Sequence, residues 1–101
     1  MRLDIDFAFD VGTEERHTVT FHWGQLLGRI RITVDGQEVV AKNRAVPLGR
    51  TRTRKFEFSV GYAEVHDVVI EKIGKRVLSG ARKQNCRAFV DGELIGEYES
   101  I

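Results

Sequence analysis

Cysteine, proline, methionine and tryptophan each occur once in these 101 residues. The lone cysteine, Cys86, excludes an internal disulfide framework and a structural zinc site built from several thiolates. No apolar run approaches the roughly 18 residues that a membrane-spanning helix needs. Net charge is nearly absent as well. Sixteen Lys+Arg against fifteen Asp+Glu leave +1, so no overall field of one sign selects nucleic acid or a membrane surface. The opening stretch, Met1-Arg-Leu-Asp-Ile-Asp6, is acidic and alternating and lacks the basic-then-apolar pattern of a secretory leader. A cytoplasmic, reduced setting is therefore expected. Hydrophobic residues at 42% and charged residues at 31% describe a globular chain, and the length fits one domain over residues 1–101.

The 3.6-residue helical period is also missing; the period present is two. Leu3, Ile5, Phe7 and Phe9 alternate with polar or small residues, as do His17, Val19, Phe21 and Trp23. Ile30, Ile32 and Val34 do the same, and so do Phe56, Phe58 and Val60. Such runs are strands with one face in a core and the other in water. Residues 85–90 place Cys86, Ala88 and Val90 on one face and Arg87 and Phe89 on the other. Residues 65–73, with adjacent Val68, Val69 and Ile70, read as a strand covered on both faces, with a short helix as the alternative. Asp35-Gly36 and Asp91-Gly92 fit the two positive φ values of a type I′ turn, so each closes a β-hairpin. The segments around them, 33–39 and 89–95, echo one another, as a duplicated hairpin or as the same turn chemistry arising twice. The pattern predicts an all-β chain: a single antiparallel β-sandwich of about eight strands joined mostly by hairpins. Trp23 continues the inward Val19–Phe21 series and reads as core, with Gly24 after it supplying an unusual φ. Residues 42–53 and 74–85 lack alternation and read as long loops, where function often resides.

Charge is segregated along the chain. Between Glu38 and Glu57 there is no acid, but there are Lys42, Arg44, Arg50, Arg52, Arg54 and Lys55. Between Glu71 and Asp91 there is again no acid, but there are Lys72, Lys75, Arg76, Arg82, Lys83 and Arg87. Asp4, Asp6, Asp10, Glu14 and Glu15 gather at one end of the sequence, and Asp91, Glu93, Glu97 and Glu99 at the other. Arg50, Arg52 and Arg54, at period two, share one strand face. Such a surface meets phosphate or an acidic partner, or else is a solvated edge protected by its charge. No aromatic side chain is interleaved with these cations to stack bases.

Other chemistry has little support. His17 and His22 differ by an odd number and face opposite ways on one regular strand. No Cys-x-x-Cys, His-x-His or His-Glu-x-x-His is present, so no metal and no cofactor is expected. Cys86 takes a core-facing position and reads as a small hydrophobe. No serine lies in a nucleophile elbow, and 24–28 lacks the Lys-Ser/Thr ending of a phosphate loop. No catalytic residue is assigned.

In order along the chain stand His17-Thr-Val-Thr-Phe-His-Trp-Gly24, Gly28-Arg-Ile-Arg-Ile-Thr-Val-Asp-Gly-Gln-Glu-Val39, Phe56-Glu-Phe-Ser-Val-Gly61, Asp91-Gly-Glu-Leu94 and Tyr98. Together they resemble a Fas apoptotic inhibitory molecule domain. That family carries a His-x-Ile-x-Phe-x-His-Gly strand, a Val-Asp-Gly-Lys-Glu hairpin, a Phe-x-Val-Gly strand and a second Asp/Asn-Gly-Lys turn. The resemblance spans roughly residues 17–98 and implies a compact eight-stranded antiparallel β-sandwich. Its animal members act through protein contacts, in death-receptor signalling and in protection against aggregation, and are not known as enzymes. The family's Trp-containing segment is replaced here by Ala45-Val-Pro-Leu-Gly49, and 74–85 resembles an insertion.

The sequence is therefore read as a non-enzymatic protein-interaction module using a basic loop surface of Arg50, Arg52, Arg54, Lys55, Arg82 and Lys83. A protein partner is expected ahead of nucleic acid, which is the alternative through the same cations. No membrane partner is expected. Complementarity between acidic ends and basic middle leaves homo-oligomerisation open.

Overall fold

The computed structural model describes residues 5–24, 29–48, 51–76 and 82–100; of these, the side chains at 43–48, 51–52, 75–76, 82–84 and 99–100 lie outside the description. Among the described residues all regular structure is β. The strands are β1 (Ile5–Val11), β2 (His17–Gly24), β3 (Arg29–Val34), β4 (Gln37–Glu38), β5 (Lys42–Leu48), β6 (Thr51–Val60), β7 (His66–Arg76), β8 (Arg82–Val90) and β9 (Glu93–Ser100). Eight have six residues or more; β4 has two. They form two sheets, ordered β1-β2-β3-β4 and β5-β6-β7-β8-β9, with every neighbouring pair antiparallel. No described helix is long and apolar enough to cross a membrane.

The period-two pattern works because side chains alternate across a pleated strand. On β1 and β2 the odd positions Ile5, Phe7, Val11, Val19, Phe21 and Trp23 are buried; on β6 and β7 the even positions Phe56, Val60, Val68 and Ile70 are. Ile32, Cys86 and Ala88 complete one continuous core drawn from both sheets. Aromatic rings join them. Phe7 of β1 stacks on Tyr98 of β9 with centroids 3.9 Å apart, and Phe21 of β2 meets Phe56 of β6 at 6.0 Å. Each such buried side chain contributes roughly 1.5–3 kcal/mol.

Both Asp-Gly pairs have positive φ at both central residues, 52° and 82° at Asp35 and Gly36 and 50° and 83° at Asp91 and Gly92. That is the type I′ geometry, whose twist matches the flanking strands. Trp23 is core at 9% exposure, and Cys86 is fully buried. Gly24 departs from expectation. It ends β2 opposite Arg29 and is not among the described glycines with positive φ, which are Gly12, Gly36, Gly61 and Gly92. Residues 65–73 contain no helix: 66–73 belong to β7. Val68 and Ile70 point inward, and Val69 points to the side away from the core.

The two stretches read as loops are mostly strand. Residues 42–48 are β5 and pair along β6, while 74–76 extend β7 and 82–85 open β8. Alternation fails as a signal there because polar and cationic residues occupy both faces. Cross-strand pairing, rather than a buried apolar stripe, makes these segments extended.

Candidate functional site

Among the described residues three arrangements of charge bear on function; apart from them, His22 pairs with Asp6 and Arg31 with Glu38 on the four-stranded sheet. At the turn end, two loops grip each other reciprocally. The β1–β2 turn contributes Glu15, whose carboxylate accepts from the Tyr62 N–H at 2.7 Å, the Ala63 N–H at 2.9 Å and His17 Nε2 at 2.6 Å. The β6–β7 turn contributes Glu64, whose carboxylate accepts from the Thr13 N–H at 2.7 Å, the Glu14 N–H at 3.1 Å and His66 Nε2 at 2.6 Å. Each histidine donates its other nitrogen, Nδ1, to a hairpin aspartate at 2.6 Å, His17 to Asp35 and His66 to Asp91. Those aspartates also accept from the Thr18 and Asp67 N–H groups. The turns need Gly12 and Gly61. Both lie at positive φ, and a Cβ there would run into the carbonyl oxygens of Glu15 and Glu64.

The electrostatics follow from the hydrogen bonds. Donation from His17, then from the Ala63 and Tyr62 amides, holds the Glu15 carboxyl down at about 2. Donation from His66, then from the Glu14 and Thr13 amides, does the same for Glu64, also to about 2. Asp35 and Asp91 are lowered first by their histidines. Each histidine is raised above its ordinary value, first by its aspartate and then by its glutamate. An imidazole that donates from both nitrogens to carboxylates is an imidazolium. Both ring nitrogens of each histidine are thus engaged by carboxylates, and no described hydroxyl or thiol hydrogen-bonds to either ring. The arrangement fixes turns and joins sheets.

The sequence contains the signal for this lock. Val-Gly-x-x-Glu-x-His-x-Val runs from Val11 to Val19 and recurs 49 residues later from Val60 to Val68, each copy followed by one of the Asp-Gly turns. The echo between 33–39 and 89–95 follows the two copies in the same order, at a longer spacing.

Across the outer face of the five-stranded sheet lies the second arrangement. Register places Lys55, Glu71, Arg87 and Glu97 side by side on β6 to β9. Their charges alternate, with Lys55–Glu71 at 3.9 Å and Arg87–Glu97 at 3.1 Å.

The third arrangement holds the cations singled out above. Strand order brings their two sequence stretches together at the far end of β6, β7 and β8. Arg54 stands opposite Lys72, Lys75 opposite Lys83, and Arg76 opposite Arg82; Arg52 stands opposite Gly74. Three register pairs at this end are thus cation against cation, and on the β5 side Arg44 stands opposite Lys55. Like charges directly opposed across strands are destabilising. Arg54 is exposed and shares the Phe56 side of β6, whereas Lys55 faces out into the ladder. The predicted set is therefore split between two faces. The Lys72 ammonium sits 4.0 Å from the centroid of the Trp23 ring. Burial holds it below the usual lysine range; nearby Cys86 opposes that shift and Arg54 adds to it. Burial also pushes the Cys86 thiol up to about 12, which leaves it without thiolate character at neutral pH. The side chains of Arg52, Arg82 and Lys83 lie outside the described residues, and Arg50 lies wholly outside them.

No family model matches this sequence, and no curated protein or solved structure shows significant similarity to it.

Proposed function

We propose that this chain is a non-enzymatic β-sandwich binding module that receives an acidic protein segment on the basic end of its five-stranded sheet. The observation that carries the reading is the pair of like-charged register positions, Lys75–Lys83 and Arg76–Arg82, beside the exposed Arg54 of β6. Nearer the turn end of the same sheet, Lys42 faces Glu57 and Arg87 faces Glu97. A sheet that sets cations opposite one another at one end forgoes stability there, and an anionic partner restores it. The resemblance to Fas apoptotic inhibitory molecule domains supports the same reading, since that family works through protein contacts.

An acidic polypeptide fits better than nucleic acid. The described aromatics at this end are both engaged in packing: Trp23 is 9% exposed and lies against Lys72, and Tyr98, in the row of Arg54, Lys72 and Cys86, is stacked on Phe7. The test compares binding of a Glu/Asp-rich peptide with binding of single- and double-stranded oligonucleotides over a salt series. The peptide is expected to bind more tightly at every salt concentration, and Arg54→Glu is expected to weaken it by at least about tenfold. Tighter oligonucleotide binding, with affinity falling steeply in log salt, would replace this reading with the nucleic-acid one.

A further inference from the structure

The outer face of the five-stranded sheet is two rows of different chemistry. One is the ladder Lys55(+), Glu71(−), Arg87(+), Glu97(−) on β6, β7, β8 and β9. Directly beside it runs Glu57, Val69, Phe89 and Leu94 on the same four strands. Val69, Phe89 and Leu94 belong neither to the core nor to the side chains packed against it. Leu94 is 47% exposed, and Ile95 beside it, at the irregularity in the β8–β9 register, is 43% exposed. An apolar row on the water side of a sheet, flanked by a patterned row of charge, is an interaction surface.

The charge pattern says what fits it. A two-fold axis parallel to the strands, passing between β7 and β8, reverses strand order but keeps each row at its own height. Stacked face to face about that axis, Lys55 of one copy meets Glu97 of the other, and Glu71 meets Arg87. All four contacts in the row are attractive. In the neighbouring row the same operation sets Val69 on Phe89 and Phe89 on Val69, with Leu94 against the stem of Glu57. A two-fold axis perpendicular to the strands sets each strand on its own counterpart and reverses the rows. That puts Glu71 on Val69 and Arg87 on Phe89, burying charge against apolar surface. We propose that this face binds a second copy of the chain in an isologous, back-to-back dimer. Stacked sheets cross at about 30°, so the two central rows stay in contact while the ends of the strands diverge. Four strands at about 4.8 Å spacing and the roughly four residues of length that two rows occupy present roughly 250 Å². That is below the ~800 Å² per partner of a standard interface, so the dimer is weak and concentration-dependent. The surface is separate from the basic end, and the proposal stands whether or not that end binds an acidic partner.

The pairing of Glu71 with Arg87 across the axis allows a direct test on the full chain. Sedimentation equilibrium of the wild type should show a monomer–dimer equilibrium with a Kd below about 1 mM. Arg87→Glu sets a second carboxylate against Glu71 of the other copy, and Glu71→Arg sets a second guanidinium against Arg87. Each variant alone should associate at least about tenfold more weakly. An equimolar mixture should regain wild-type association, because in the mixed pair every contact is again opposite in sign. Lys55→Glu and Glu97→Lys, alone and mixed, repeat the test at the edges of the row should either central variant lose its fold. Leu94→Glu, at an exposed position opposite Glu57, should weaken the wild-type dimer without affecting circular dichroism. A wild type that stays monomeric to about 1 mM, or single variants that associate as well as wild type, would overturn the proposal. So would mixtures that fail to regain association.

Discussion

The two ends of this molecule treat charge in opposite ways. At the turn end the Glu15 and Glu64 carboxylates are each engaged by an imidazolium and by backbone N–H groups of another turn. At the far end of β6, β7 and β8 the register opposes cation to cation three times over. The first arrangement favours the fold, since each carboxylate holds another turn in place. The second sets like charges in register across neighbouring strands, and it is where the proposed acidic partner would bind. The turn-end charges hold two turns together, and the like-charged register at the other end is what the proposed binding reading rests on.

This contrast predicts that damage at the turn end is read in stability and damage at the basic end in binding. The largest effect belongs to Gly61→Ala. It forces a Cβ into the Glu64 carbonyl at a left-handed φ, and should cost about 3 kcal/mol in urea unfolding. Gly12→Ala, at the equivalent position, should match it; a large difference between the two would show that the halves are not equivalent.

Glu64→Gln should lower the urea midpoint by less, with an unchanged slope, because it keeps the shape and removes the charge that His66 and the Thr13 and Glu14 amides address. Glu15→Gln should behave alike, and neither should alter binding of an acidic peptide.

The pH profile follows with a definite sign. Glu15 and Glu64, lowered from 4.5 to about 2, contribute stability that is complete above 4.5 and is lost as pH falls towards 2. His17 and His66, raised above 6.5, contribute stability that is complete below 6.5 and is lost as pH rises through their folded values. A thermal midpoint measured against pH should therefore be highest between 4.5 and 6.5 and fall on both sides. The double variant His17→Asn/His66→Asn should lose the alkaline fall.

The smallest effect sharpens the contrast most. Arg54→Gln removes one member of the Arg54–Lys72 like-charge pair, so stability should rise by a few tenths of a kcal/mol. By the same logic Lys55→Ala, one position along and facing the ladder, should lower stability by about 0.2–0.5 kcal/mol. Urea midpoints of the two variants measured side by side check the opposite signs.

The hairpins are fully legible in the sequence, because Asp-Gly states its own dihedral angles and alternation states the inward face. The same parity places Cys86, Ala88 and Trp23 inward. Strand β5 and the outer parts of β7 and β8 are not legible: in β5 the face of Lys42 and Arg44 also carries Val46 and Leu48, and at 75–76 and 82–83 cations fall on both faces, so period two is erased and pairing with the neighbouring strands makes those segments extended. The lock is legible in part. The turn that follows each copy of the repeat is visible in Asp35-Gly36 and Asp91-Gly92. Histidine parity within a single strand hides the rest, because the partners of His17 and His66 come from turns. The basic residues are visible as two separate stretches, but their meeting depends on β6, β7 and β8 being adjacent, which no local pattern encodes.

The most direct measurement pairs two readouts on one variant. Arg54→Glu/Arg82→Glu is titrated calorimetrically with a Glu/Asp-rich peptide, and its urea midpoint is measured alongside wild type. Peptide affinity is expected to fall by at least about tenfold while the midpoint holds or rises. A midpoint that falls while peptide binding persists would show that these cations serve the fold, and would contradict the assignment of the basic end as the binding surface.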